Sequence, residues 1–137
     1  MSYVHILSIR QRFEAAHRLF KSAGDCKNLH GHSFEVRFVL GSEQLTQGMV
    51  IDSDEVKKSV KPLIDELDHA TLLNSSDDSG LASVCQKNGF KFFLFEEDPS
   101  AEIIASHLFI RAKPLLPTLI RVEVRETENL LACHQDG

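Results

Sequence analysis

Cys26, His30 and His32 are gathered in the stretch Cys26-Lys27-Asn28-Leu29-His30-Gly31-His32-Ser33-Phe34, a thiol followed by a His-x-His pair at the mouth of an apolar run. Thiols and imidazoles ligate metals and carry protons. If Ser33 to Leu40 is a strand, residues two apart point to one face, and the His30 and His32 rings start from Cα atoms roughly 6.5 to 7 Å apart on the same side. Two such rings can converge on one ion, and Gly31 between them leaves the backbone free to adjust to zinc–nitrogen contacts of about 2.0 to 2.1 Å. The third candidate ligand is His17, in Phe13-Glu14-Ala15-Ala16-His17, at the far end of the alternating stretch Tyr3 to Phe13. Antiparallel pairing of that stretch with the next strand brings His17 beside His30. Three neutral imidazoles with no fourth protein ligand describe an open, catalytic zinc site rather than a closed structural one.

Asp68-His69 supplies a second pair with chemistry, in Leu67-Asp68-His69-Ala70. A carboxylate beside an imidazole orients it and favours its cationic form, and a cationic imidazole near a thiol makes Cys26 a thiolate base. The same two residues serve equally as a helix C-terminal cap, where a protonated His is favoured by the macrodipole. Glu126, in Val124-Arg125-Glu126-Thr127, offers a carboxylate that can accept two hydrogen bonds from an amino-pyrimidine edge; solvent exposure is the default for Glu. Arg18, Lys21 and Lys27 flank the thiol and are read either as phosphate partners or as solvated loop charges.

Composition narrows the function classes. At 137 residues the chain, 1–137, fits one domain with a sizeable core, and 42% hydrophobic with 26% charged residues is ordinary for a globular protein. A formal charge of −5 gives no broad basic surface, which argues against nucleic-acid binding. No apolar run reaches the roughly 18 residues of a membrane span and the N-terminus lacks a signal core, so a cytoplasmic protein without membrane partners is expected. Cys26, Cys85 and Cys133 are odd in number and widely spaced, with no C-x-x-C pair, which points to free thiols. Cys133 reads as an inward filler of a last strand and Cys85 as a loop residue.

These residues must be positioned by a small set of elements. Phe34, Val36, Phe38 and Leu40 alternate with Glu35, Arg37 and Val39, the period-2 mark of a strand ended by Gly41-Ser42. Asp52, with Glu55 three residues on, opens a helix whose apolar stripe is Val56, Val60, Leu63, Ile64 and Leu67, with Pro62 as an expected kink. A second helix runs from Ser100 to about Lys113, and Ile120, Val122 and Val124 followed by Leu130 to Cys133 predict a terminal hairpin. Asn74 to Gly89 is polar, and Phe90 to Phe95 fits a short strand or loop packing. The resulting expectation is an α+β chain of order ββααββ, a four-stranded antiparallel sheet with two helices on one face. Its other face carries Arg37, Arg121, Glu123 and Arg125, either toward solvent or toward a second copy of the chain.

Taken together, Phe13 to His17, Cys26 to Phe34, Gly48 to Asp52, Leu67-Asp68-His69, Pro99-Ser100-Ala101-Glu102 and Val124 to Thr127 resemble the 6-pyruvoyltetrahydropterin and 6-carboxytetrahydropterin synthase family nearly end to end. The resemblance implies the tunnelling fold, homo-oligomers (hexamers in the family) with active sites between subunits, and a dihydropterin triphosphate substrate. It implies Zn2+ on His17, His30 and His32, with Cys26 as proton acceptor tuned by Asp68 and His69. Glu126 falls on the residue that anchors the pterin ring, and Ser100 and Glu102 on substrate-binding positions. The three-residue gap between Cys26 and the His-Gly-His is similar to the 6-carboxy branch of queuosine biosynthesis. A pyruvoyl-forming enzyme, or a pterin or metal binder without turnover, are the alternatives.

Overall fold

The computed structural model describes residues 2–137. Six strands form one sheet: β1 (His5–His17), β2 (His30–Ser42), β3 (Ala70–Asn74), β4 (Phe92–Phe95), β5 (Leu119–Thr127) and β6 (Leu130–Gln135), in spatial order β4-β3-β1-β2-β5-β6. Three helices accompany them: α1 (Ser53–Leu67), α2 (Leu81–Asn88) and α3 (Ala101–Ala112). β1, β2, β5 and β6 pair antiparallel, whereas β3 runs parallel to β1 and β4 parallel to β3.

The sheet is therefore mixed and six-stranded, and the expected four-stranded antiparallel sheet in ββααββ order is incorrect; only the α+β class is retained. The additional elements are short. β3, Ala-Thr-Leu-Leu-Asn, shows no period-2 pattern because a parallel interior strand is covered on both faces. β4 has four residues and α2 eight, too few for a periodic signal. Gly89 ends α2 with φ 72°, a left-handed cap whose N–H reaches the Cys85 and Gln86 carbonyls. Cys85 consequently lies buried on a helix, not in a loop.

Alternation decides which face each strand buries. Phe13, Ala15 and His17 of β1 and Phe34, Val36 and Phe38 of β2 point to the helices, joined by Val122 and Val124 of β5. Against them α1 sets its expected stripe, Val56, Val60, Leu63, Ile64 and Leu67, and α3 sets Ile104, Ala105, Leu108 and Ala112. Asp52 caps α1 by accepting the Asp54 N–H at 2.9 Å, and the helix continues through Pro62 because that residue lies on the exposed side, where water can bond the carbonyl it leaves free. On the opposite face Glu35 sits among Arg10 at 3.2 Å, Arg37 at 3.4 Å and Arg125 at 3.9 Å, and Arg121 meets Glu123 at 2.8 Å. The last strand differs by one residue from its expected facing: Ala132 is inward and Cys133 exposed.

Phe38 is fully buried, so Phe38→Ala should cost about 3 to 5 kcal/mol in urea denaturation, whereas Cys133→Ser should stay within about 0.5 kcal/mol. His107 packs its ring 5.2 Å from both Phe93 and Phe95, and burial holds its pKa below the ordinary imidazole value, with Arg111 acting the same way and Glu66 opposing. The unfolded chain then binds this proton more tightly than the folded one. The stability His107 contributes is full above about pH 6.5 and is lost as pH falls below it. His107→Gln should flatten that part of the pH–stability curve relative to the parent, read as urea midpoints.

Candidate active site

The register of β1 and β2 sets His17 directly opposite His30 and Ala15 opposite His32. All three imidazoles share the core-facing side, with ring centroids 4.7 to 5.2 Å apart, and Phe34 forms a floor under two of them, 5.5 Å from His17 and 5.4 Å from His32. One ligand nitrogen from each ring lies within 4.8 Å of the other two. Two of the rings are fixed by carbonyls. His17 Nδ1–H donates to Pro99 at 2.8 Å and His30 Nδ1–H to Asn28 at 2.7 Å, which leaves the Nε2 lone pairs free. The Nε2 atoms of His17 and His32 are buried without a hydrogen-bond partner.

Burial lowers the pKa of His17, opposed by the Pro99 carbonyl and by Glu126, and it lowers that of His32, opposed again by Glu126. Both rings are then neutral at neutral pH, the form that binds a metal. Orphaned nitrogens, neutral rings and carbonyl-fixed tautomers make this group a fit for an ion such as zinc.

Glu126 continues the inward side of β5 after Val122 and Val124, at a bulge in its pairing. Between Arg125 and Thr127 the pairing of β5 with β6 shifts, since Arg125 faces Leu131 and Thr127 faces Leu130, and Glu126 is the extra residue. Its Oε1 lies 3.3 Å from His17 Nε2 and 3.7 Å from His32 Nε2. Asp68 and His69 are set by the last third of β1: Asp68 Oδ1 accepts the Glu14 N–H at 2.9 Å, and the His69 N–H donates to the Glu14 carbonyl. Asp68 also meets His69 Nδ1 at 3.0 Å. Burial raises the Asp68 pKa, but the Glu14 N–H, His69 and Lys91 together outweigh it and hold the carboxyl below its usual range. His69 and His32 line one cleft of about 480 Å³, with Glu14, Gly31 and Ser33.

The structure does not bring every candidate together. Cys26 is exposed in a 3-10 turn, Asp25–Lys27, and His69 is 77% exposed in its side chain; no hydrogen bond joins them among the described residues. Ser100 caps α3 by accepting the Ile103 N–H, and Glu102 is exposed in the first turn of that helix. Arg18 donates from Nε to the Lys27 carbonyl and from Nη1 to Asp77. Pro99, Asp77 and Asp98 were not legible as site residues, because their contacts span long sequence separations that no local motif encodes.

A family model described as 6-pyruvoyl tetrahydropterin synthase matches residues 6–136. The chain belongs to the 6-pyruvoyl tetrahydropterin synthase family. Within it, the chain is 35% identical over 117 residues to a 6-carboxy-5,6,7,8-tetrahydropterin synthase of Aquifex aeolicus, covering 72% of each chain. It is 36% identical over 122 residues to a protein of that name from Synechocystis, covering 84% of this chain and 81% of the relative. The fold is similar to that of an uncharacterized protein from Wolinella succinogenes, with a TM-score of 0.80 at 23% identity over 97% of this chain and 99% of the other.

The spacing of this synthase-family site depends on close strand approach at Gly31, where an added Cβ would meet the Ala15 carbonyl at 3.1 Å. Gly31→Ala should therefore push β1 from β2 between His30 and His32. Co2+ titration, followed by its visible absorption, is expected to show affinity weakened about tenfold, or about 1.4 kcal/mol.

Proposed function

We propose that this protein is a zinc-dependent 6-carboxy-5,6,7,8-tetrahydropterin synthase that converts 7,8-dihydroneopterin triphosphate and water to 6-carboxytetrahydropterin, acetaldehyde and triphosphate, in the cytoplasm, as a step toward queuosine and related deazapurines. The observation that carries this reading is the set of three core-facing imidazoles, two of them tautomer-fixed, of which His32 also lines a cleft together with His69. The names of the relatives at 35% and 36% identity support the substrate class. The three residues between Cys26 and His30 support the carboxy branch.

His17, His30 and His32 would hold zinc, which supplies Lewis acidity to the substrate's side-chain oxygens when bound. Cys26 takes the proton from the substrate carbon as a thiolate base. Asp68 fixes the His69 ring through Nδ1, and that ring presents its other nitrogen to the reacting side chain and the thiol. Because Cys26 and His69 are exposed and unlinked within one chain, their meeting is assigned to an interface between subunits of a homo-oligomer, a hexamer on the family pattern. Glu126 accepts hydrogen bonds from the amino-pyrimidine edge, and Ser100 and Glu102, at the start of α3 beside Pro99, stand on the substrate side.

Anaerobic incubation of the zinc-loaded protein with 7,8-dihydroneopterin triphosphate, followed by mass spectrometry, is expected to give 6-carboxytetrahydropterin and acetaldehyde. A pyruvoyl product would overturn the carboxy assignment in favour of the pyruvoyl branch, and unchanged substrate would favour a binding module. Cys26→Ala should lower kcat by at least about 10²-fold with bound zinc unchanged; undiminished turnover would sink the assignment of the base.

A further inference from the structure

The loop from Arg18 to Leu29 carries Cys26. Within it the Leu19 N–H donates to the Cys26 carbonyl at 2.9 Å, the Ser22 N–H to the Leu19 carbonyl at 2.9 Å, the Lys27 N–H to the Gly24 carbonyl at 3.3 Å and the Asn28 N–H to the Asp25 carbonyl at 3.0 Å, and its one 3-10 turn has no buried residue. Further ties come from the Arg18 side chain and from other parts of the fold. Arg18 Nε donates to the Lys27 carbonyl at 2.7 Å, and its Nη1 donates to both Asp77 carboxylate oxygens at 2.9 and 3.0 Å. Asp77 belongs to the connection between β3 and α2, and its side chain is only 3% exposed. Burial raises its pKa, yet the Ser79 hydroxyl and N–H and the Arg18 guanidinium together hold the carboxyl below its usual range. A second tie lies alongside: Asp98 Oδ2 accepts the Lys21 N–H at 3.0 Å, while Oδ1 accepts from buried Asn74 at 3.1 Å.

The arginine is specifically suited to this place. Its planar fork lets Nε point at one acceptor while Nη1 holds another, which a lysine ammonium on a flexible stem cannot do in fixed geometry. Lys27 follows Cys26 directly, so a carbonyl held at Lys27 restrains the backbone from which the thiol projects. Displacement of a reacting group by about 1 Å can cost about 10²-fold in rate.

We propose that Arg18, clamped by Asp77, is a positioning residue for the Cys26 loop, and that the connection between β3 and α2 thereby acts as an external brace on the thiol. The proposal rests on the reading of Cys26 as the catalytic base. It assigns no phosphate contact to Arg18, whose Nε and Nη1 are held by Lys27 and Asp77.

The test compares the zinc-loaded parent with Arg18→Lys and Asp77→Asn; the latter keeps an oxygen for the Ser79 N–H and loses the charge. Amide hydrogen exchange at Leu19 and Asn28, whose N–H groups close the loop, is expected to rise about tenfold in Arg18→Lys, with sheet amides unchanged. Bound zinc should stay the same, kcat should fall about 10²-fold, and KM should stay within about threefold. Asp77→Asn should shift the same readouts in the same direction by a smaller factor. Unchanged loop exchange in folded Arg18→Lys, or a fall in kcat without any rise in loop exchange, would overturn the brace. Global unfolding of both variants would also overturn it, by showing that the pair holds the whole fold rather than the loop. If the parent shows no turnover on 7,8-dihydroneopterin triphosphate, the functional reading fails, and the exchange comparison still decides the brace.

Discussion

The antiparallel ladder of β1 and β2 pairs every residue from His5 to His17 with one from Ser42 back to His30. A strand pair with one buried face has no freedom of register, because a slip of one residue would turn Phe13, Ala15, Phe34, Val36 and Phe38 toward solvent. The hydrophobic pattern that fixes the core therefore also fixes His17 opposite His30. The site is the continuation of the core stripe by three positions where apolar side chains give way to imidazoles, and Phe34 belongs to both. Every other contact in the site depends on this ladder: β3 is paired on its outer side at Ala15 to His17, and Glu14 supplies the main-chain groups that hold Asp68 and His69.

Extending a core stripe with polar rings is costly. An unsatisfied buried polar atom costs about 1 to 3 kcal/mol, and this fold leaves the Nε2 atoms of His17 and His32 in that condition. Burial also pushes both rings toward the neutral form, although Glu126 pulls the other way. The fold thus spends stability on nitrogens that are neutral, aimed and unpaired. That combination suits an electron-pair acceptor, and where one binds, its binding free energy adds to folding free energy.

How much of this was legible in the chain follows from which interactions are local. The helix stripe of α1, the cap at Asp52 and the alternation of β2 are encoded within a few residues, and so is the His-x-His pair. His17 was accessible because strand pairing between sequence neighbours is itself a short-range rule. β3 was hidden by burial on both faces, which erases alternation, β4 was left open between strand and loop by its four residues, and α2 was hidden by its length. The facing of Cys133 was misjudged because the shift between Arg125 and Thr127 occurs at a bulge that no residue pattern announces. The Pro99 carbonyl that orients His17, and the Arg18–Asp77 pair, join positions 82 and 59 residues apart, and only the closed fold brings them together.

His69 shows the same tension on a smaller scale. It has φ 60°, the left-handed region in which glycine usually ends a helix, directly after the last turn of α1 and before β3. A side chain there costs roughly 1 to 2 kcal/mol against a right-handed backbone. Glycine would relieve that strain and make the same turn, and the Glu14 carbonyl would still accept its N–H. What glycine cannot supply is an imidazole beside Gly31 and His32 with its Nδ1 on Asp68. The neighbouring bonds, Asp68 Oδ1 with the Glu14 N–H and the His69 N–H with the Glu14 carbonyl, over-determine the conformation and hold it against the strain. A strained backbone maintained by redundant bonds, where a glycine would fold more easily, is one that the surrounding structure over-determines.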